Sequence, residues 1–159
     1  MATFETSSIE DWKDFLGTKV KLDDATLKKI AERCVENAGK SVKGKVQNNA
    51  PSYLKKHVKQ SKTYRTPSDG GVNSKIYFSG YLPFKNGRKS FTRGGYTTTK
   101  GIPAAFLAMI REYGSSYRYT NDGEFRGKVQ RSPFIRKAFY GGSIERVMAE
   151  TFKRETGIS

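Results

Sequence analysis

A single cysteine in 159 residues, Cys34, excludes an intrachain disulfide framework and any cysteine-built metal site. It falls among the apolar positions of a predicted helix, so it reads as a buried small hydrophobe rather than a reactive thiol. Histidine is equally scarce: His57 stands alone, and a Ser-His-Asp or Cys-His arrangement would have to use it. Its neighbours Lys55, Lys56 and Lys59 offer no carboxylate to orient the ring. Acid is thin through the middle of the chain. Between residues 39 and 140 only Asp69, Glu112, Asp122 and Glu124 are acidic, with no pair at the spacing metal-dependent nucleases use, and Asp122-Gly123-Glu124 reads as a turn. There is no GxxxxGK[ST] phosphate loop, and Gly94-Gly95 lacks the strand-then-helix setting that would let it cradle phosphate. These absences predict a chain that is not an enzyme and takes no metal or cofactor.

No apolar run approaches the roughly 18 residues of a membrane span, and no internal repeat or low-complexity tract appears. The start, Met1-Ala-Thr-Phe-Glu-Thr-Ser-Ser, lacks the basic and apolar regions of a signal peptide, so a soluble, unexported protein with no membrane partner is expected. What the chain has in excess is positive charge, 30 Lys and Arg against 15 Asp and Glu. Residues 1–38 carry six basic and eight acidic groups, residues 39–140 carry 21 and four, and residues 141–159 three of each, giving −2, +17 and 0. A field so placed repels copies of itself and favours a polyanion or an acidic protein face. Nine Tyr, ten Phe and one Trp can build a core from a few large side chains, and the length suits a single domain over residues 1–159.

Apolar spacing predicts the elements. Ser8-Ile-Glu-Asp-Trp-Lys-Asp-Phe-Leu sets Ile9, Trp12 and Phe15/Leu16 three to four apart behind a Ser8 cap, a short helix ending at Gly17. A second start at Asp23-Asp24 opens the strongest element, with Leu27, Ile30, Ala31, Cys34, Val35, Ala38, Val42 and Val46 on one stripe to about Asn49. Gly39 and Gly44 each cost it about 1 kcal/mol relative to Ala, marking a bend or a close approach, and Ala50-Pro51 stops it. His57–Arg65 and Val72–Ser79 read as strands joined by the turn Thr66–Gly71, with Ile76 and Phe78 on one face and Tyr77 on the other. Ile102–Glu112 fits strand or helix. Arg131–Phe139 looks like a helix capped by Ser132 with Pro133 at its first position, and Ser143 caps a last helix that buries Ile144, Val147, Met148, Thr151 and Phe152. The fold class is therefore α+β, a small, mostly antiparallel sheet packed against a long helix in the N-terminal half and a C-terminal helix.

Between the second strand and Ile102 lies Gly80–Gly101, rich in glycine and basic residues, expected to be a flexible loop or hairpin arm. Lys85, Arg88, Lys89, Arg93 and Lys100 interleave there with Phe84, Phe91 and Tyr96, a composition suited to phosphate contact and base stacking. The same arm could instead dock on a protein neighbour, folding as it does so. Both uses stand open on the sequence.

Three stretches, in order, resemble the phage tail-component family typified by gene product 10 of phage HK97, which groups with tail-completion and head–tail joining proteins. They are the long helix running into Ala50-Pro51 with Leu54 and His57-Val-Lys-Gln-Ser; Ile110-Arg-Glu112-Tyr-Gly114-Ser-Ser; and Pro133-Phe134-Ile-Arg-Lys-Ala138-Phe leading into the C-terminal helix. Together they span roughly residues 20–155. Ser52-Tyr53 stand where members often carry Thr-Gly, and the Gly80–Gly101 stretch is longer than the usual hairpin.

The resemblance implies a structural virion protein, made in the host bacterial cytoplasm and placed at the neck or tail of the particle. It implies a homo-oligomeric, hexameric ring that meets a head connector or stopper and a tail tube or terminator and lets genomic DNA pass. Read as residues alone, Gly114 supplies a sharp turn through positive φ, Pro133-Phe134 pins a returning segment, and Glu112 is placed to pair with Arg111, Arg118 or a neighbouring subunit. A free-standing basic nucleic-acid-binding protein is the competing reading, resting on charge and aromatics.

Overall fold

The structure, a computed structural model, describes residues 2–4, 23–68, 70–85, 87–118, 123, 125 and 127–157, and of 2–4 the backbone alone. The expected helix at Ser8–Gly17 and both acids of Asp122-Gly-Glu124 lie outside the described residues. The elements run β1 (Ala2–Phe4), α1 (Asp24–Asn49), α2 (Ser52–Lys55), β2 (Val58–Gln60), β3 (Tyr64–Arg65), β4 (Val72–Phe78), β5 (Tyr81–Leu82), β6 (Phe91–Arg93), β7 (Tyr96–Thr98), β8 (Ile102–Pro103), α3 (Ala104–Tyr113), α4 (Ile135–Phe139) and α5 (Ser143–Thr156). This is the α+β class expected, a long helix, a C-terminal helix and small antiparallel sheets.

The chain divides into two compact units. The first takes in Met1–Lys45, Gln60–Tyr77 and Phe139–Ser159. Its centre is α1, which starts where Asp23 accepts the Thr26 N–H through its side chain at 3.2 Å. One face of α1 buries Ile30 and Cys34 against Phe152 and Met148 of α5, with Asn37 donating to the Thr151 hydroxyl and Arg33 paired with Glu155. On the opposite face Glu32 pairs with Arg65 of β3 at 2.9 Å, and Gln60 of β2 donates to the Glu36 carbonyl at 3.1 Å. Gly39 marks a close approach: a Cβ there would stand 2.3 Å from the Gln60 amide nitrogen.

The sheet of this unit is ordered β1-β4-β2, with β3 also paired to β4. The strand expected at His57–Arg65 is interrupted. Ser61 donates to Lys75 while Tyr64 pairs with Asn73, so one extra residue separates the two registers, a β-bulge. Ser61 fills the gap, its hydroxyl accepting the Lys75 N–H at 2.8 Å.

The last helix begins differently from expectation. Gly142, at φ 62°, precedes it, and Ser143 makes no side-chain cap; its hydroxyl instead accepts from Lys45. A left-handed glycine already turns the chain into the helix, which frees the hydroxyl for α1.

The second unit comprises Val46–Lys59 and Phe78–Ala138. Its core holds Val46, Leu54, Val58, Phe91, Ala104, Ala108, Phe134 and Ala138. Residues 102–112 prove to be both alternatives in turn: Ile102–Pro103 pair with Tyr81–Leu82 as edge strand β8, and Pro103, at φ −56° and ψ 129°, is then the N-cap of α3. Proline has no N–H to give a ladder and suits the entry to a helix, so the switch falls on it. Gly101 makes the pairing possible. It sits at φ 133°, and a Cβ there would lie 2.3 Å from the Leu82 carbonyl oxygen. Within the basic arm, β6 and β7 form a hairpin closed by Gly94 and Gly95 at φ 54° and 78°.

Candidate functional site

The residues expected to matter all lie in the second unit. Glu112, at the end of α3, is 1% exposed and accepts the N–H groups of Phe134 and Ile135 at 2.8 Å and of Arg136 at 3.1 Å. The Arg136 guanidinium adds a contact at 3.3 Å while lying over the Tyr113 ring at 4.9 Å. Glu112 therefore pairs with Arg136, not with Arg111 or Arg118 as its neighbours in sequence suggested. The same geometry moves the start of α4: the helix begins at Ile135, and its first N–H groups go to the Glu112 carboxylate rather than to Ser132. An ionised acceptor at a helix N-terminus meets several unpaired donors at once, which one hydroxyl cannot. Ser132 donates its N–H to the Arg111 carbonyl instead, at 2.8 Å.

The other motif positions surround this cap or the end of α1. Gly114, at φ 80°, closes α3 by donating to the Ile110 carbonyl at 2.7 Å. Phe134 is buried edge-on to Phe78, with ring centroids 5.9 Å apart, Ala138 is buried on α4, and Pro133 is half-buried ahead of the helix. Ala50 is buried where α1 ends, and Pro51 is the N-cap of α2.

The basic arm is divided by its hairpin. Phe91 is buried against Phe106 of α3 at 4.8 Å, Arg88 lies over the Phe91 ring at 5.7 Å, and Arg93 over Phe106 at 4.6 Å. Lys85, Lys89, Lys100 and Tyr96 remain exposed, with Tyr96 sharing a hydroxyl hydrogen bond with Tyr81 at 2.9 Å that raises the Tyr96 pKa.

Beside the hairpin an open groove of about 1140 Å³ runs along α3 to the segments after it. Its floor is apolar, with Phe91, Phe106, Leu107, Met109 and Ile110. Its cations are Arg88, Arg93, Arg111, Arg118 and Lys128, and no acidic residue lines it among the described residues. Arg111 donates to the Tyr53 hydroxyl at 3.2 Å, and Lys128 lies over the Tyr117 ring at 5.3 Å. Tyr113, which lines the groove, and Tyr117, under Lys128, are 63% and 61% exposed. The sequence offered Arg111 and Arg118 only as partners for Glu112 and did not join them with Tyr53, Tyr113 and Lys128 into one surface, because Tyr53 and Arg111 meet across 58 residues and no local pattern links them.

His57 is buried, its Nδ1 donating to the Ser79 carbonyl at 2.7 Å, and no hydrogen-bond partner reaches its Nε2 among the described residues. Cys34 is buried, and burial pushes its thiol pKa up to about 11. Among the described residues no group of His, Cys, Asp and Glu is gathered to hold a metal ion, and no helix is long and apolar enough to cross a membrane. The chain matches no protein family, no curated protein and no solved structure.

Proposed function

We propose that this chain is a structural subunit of a tailed-phage virion, without enzymatic activity. Copies close into a ring, a hexamer on the family resemblance, at the neck, where it completes the tail or joins it to the head connector and leaves a passage for DNA. The observation that carries the reading is the second unit's surface: arginines stacked on aromatic rings beside exposed tyrosines and Met109, around an apolar groove. Tyr, Met and Arg are the side chains that protein interfaces favour. Closed rotational symmetry then lets one small protein surround a channel. Light scattering at rising concentration, with negative stain, tests it: particles with a central hole are expected. Protein that stays monomeric at high concentration and is missing from mature particles overturns it.

A second reading, a free nucleic-acid-binding protein, draws on the exposed Lys85, Lys89 and Lys100. It expects monomers whose affinity for DNA or RNA falls steeply with salt.

A further inference from the structure

The groove is built to meet negative charge. Four of its five cations are steadied, Arg88, Arg93 and Lys128 by aromatic faces and Arg111 by the Tyr53 hydroxyl; among the described residues no carboxylate lines the groove, and its floor is apolar. Such a surface suits an acidic amphipathic segment, whose apolar side enters the floor while its carboxylates meet the rim. The chain carries one. Residues 5–16 hold Glu5, Glu10, Asp11 and Asp14 against the single Lys13, with Ile9, Trp12 and Phe15/Leu16 at helical spacing.

Charge also says where that segment goes. Each copy carries +15, so two copies repel unless an acidic part of one faces the basic part of the other. The −2 of residues 1–38 and the +17 of residues 39–140 attract only head to tail, and a head-to-tail contact is the kind that closes rings. We propose that residues 5–16 of one copy dock in the groove of a second copy, Trp12 on the apolar floor and the carboxylates against Arg88, Arg111, Arg118 and Lys128. The inference rests on the ring reading and names the joint between subunits.

Two full-length variants test it: Glu10→Lys/Asp11→Lys/Asp14→Lys and Arg88→Glu/Arg111→Glu/Arg118→Glu. Each alone is expected to stay monomeric at concentrations where the unaltered protein assembles. Mixed one to one, they regain assembly, because each supplies the charge the other needs, and the emission of Trp12, the one tryptophan, shifts to the blue. Circular dichroism shows whether each variant folds. Trp12→Ala, which leaves the groove intact, is expected to weaken self-association by at least about 10-fold.

If the unaltered protein forms rings but the acid-reversed variant does so equally well, or Trp12→Ala has no effect, the inference is wrong and the ring reading survives. Loss of single-stranded oligonucleotide binding by the groove-reversed variant, with assembly kept, overturns it in favour of a phosphate-binding groove. Unaltered protein that never assembles removes both.

Discussion

The Glu112 carboxylate stands 2.8 Å from the backbone nitrogen of Phe134, and through that bond and its neighbours it fixes where α4 begins. A charge 1% exposed would be costly if unpaired. Here three backbone donors and the Arg136 guanidinium satisfy it, and the Phe134 ring is seated against Phe78 as a result.

Glu112→Ala strands those donors and removes the only charge they share, so a loss of about 3–5 kcal/mol is expected by urea denaturation. Glu112→Gln keeps the shape and one acceptor oxygen, and should lose less, about 1–3 kcal/mol. Equal stability of both variants to the parent would show that the cap is not what holds α4.

Gly101→Ala meets two penalties together, a φ of 133° and a Cβ 2.3 Å from the Leu82 carbonyl oxygen. Backbone atoms cannot rotate away as a side chain can, so the β5–β8 pair must open. A destabilisation of about 2 kcal/mol or more is expected from thermal unfolding. Gly87→Ala is the control for positive φ alone, since nothing lies within 4 Å of its Cβ position; it should cost less.

Cys34 should resist thiol reagents at pH 8 in the folded protein and react on unfolding, because burial raises its pKa to about 11 from an ordinary 9.0. The unfolded chain therefore loses this proton first as pH rises, and this group's contribution to stability falls between about 9 and 11. The check is reaction rate with a disulfide reagent against denaturant. Cys34→Ser should flatten that part of the pH profile.

If the exposed lysines of the arm face DNA, Lys85→Ala/Lys89→Ala/Lys100→Ala should lower the slope of log K against log salt by about 2 to 3, near 0.9 per lost phosphate contact. Folding should be unchanged, since all three side chains are exposed. An unaltered slope would assign the arm to protein contact alone.

Much of the architecture was legible in the sequence because it is local. The apolar stripe from Ile30 to Val46, Ala50-Pro51 as its stop and the glycine turns each follow from the backbone and the nearest few residues. The two strands around Thr66–Gly71 were also legible, though not the bulge at Ser61 that breaks the first. Residues 102–112 stayed ambiguous because Pro103 ends an edge strand and enters a helix within one step, a choice that needed the partner strand Tyr81–Leu82.

The candidate surface was half legible. Lys85, Arg88, Lys89 and Arg93 announced themselves by density, whereas the groove brings Tyr53, Arg111 and Lys128 beside Arg88 and Arg93 from distant parts of the chain. Amino-acid order alone determined the charge imbalance, the helix stripes and the scarcity of histidine, cysteine and acid. Tertiary structure decided that Glu112 would be spent on the start of α4 and that Arg88 and Arg93 would lie on aromatic rings. Such pairings depend on which side chains meet in space, and burial sets their strength.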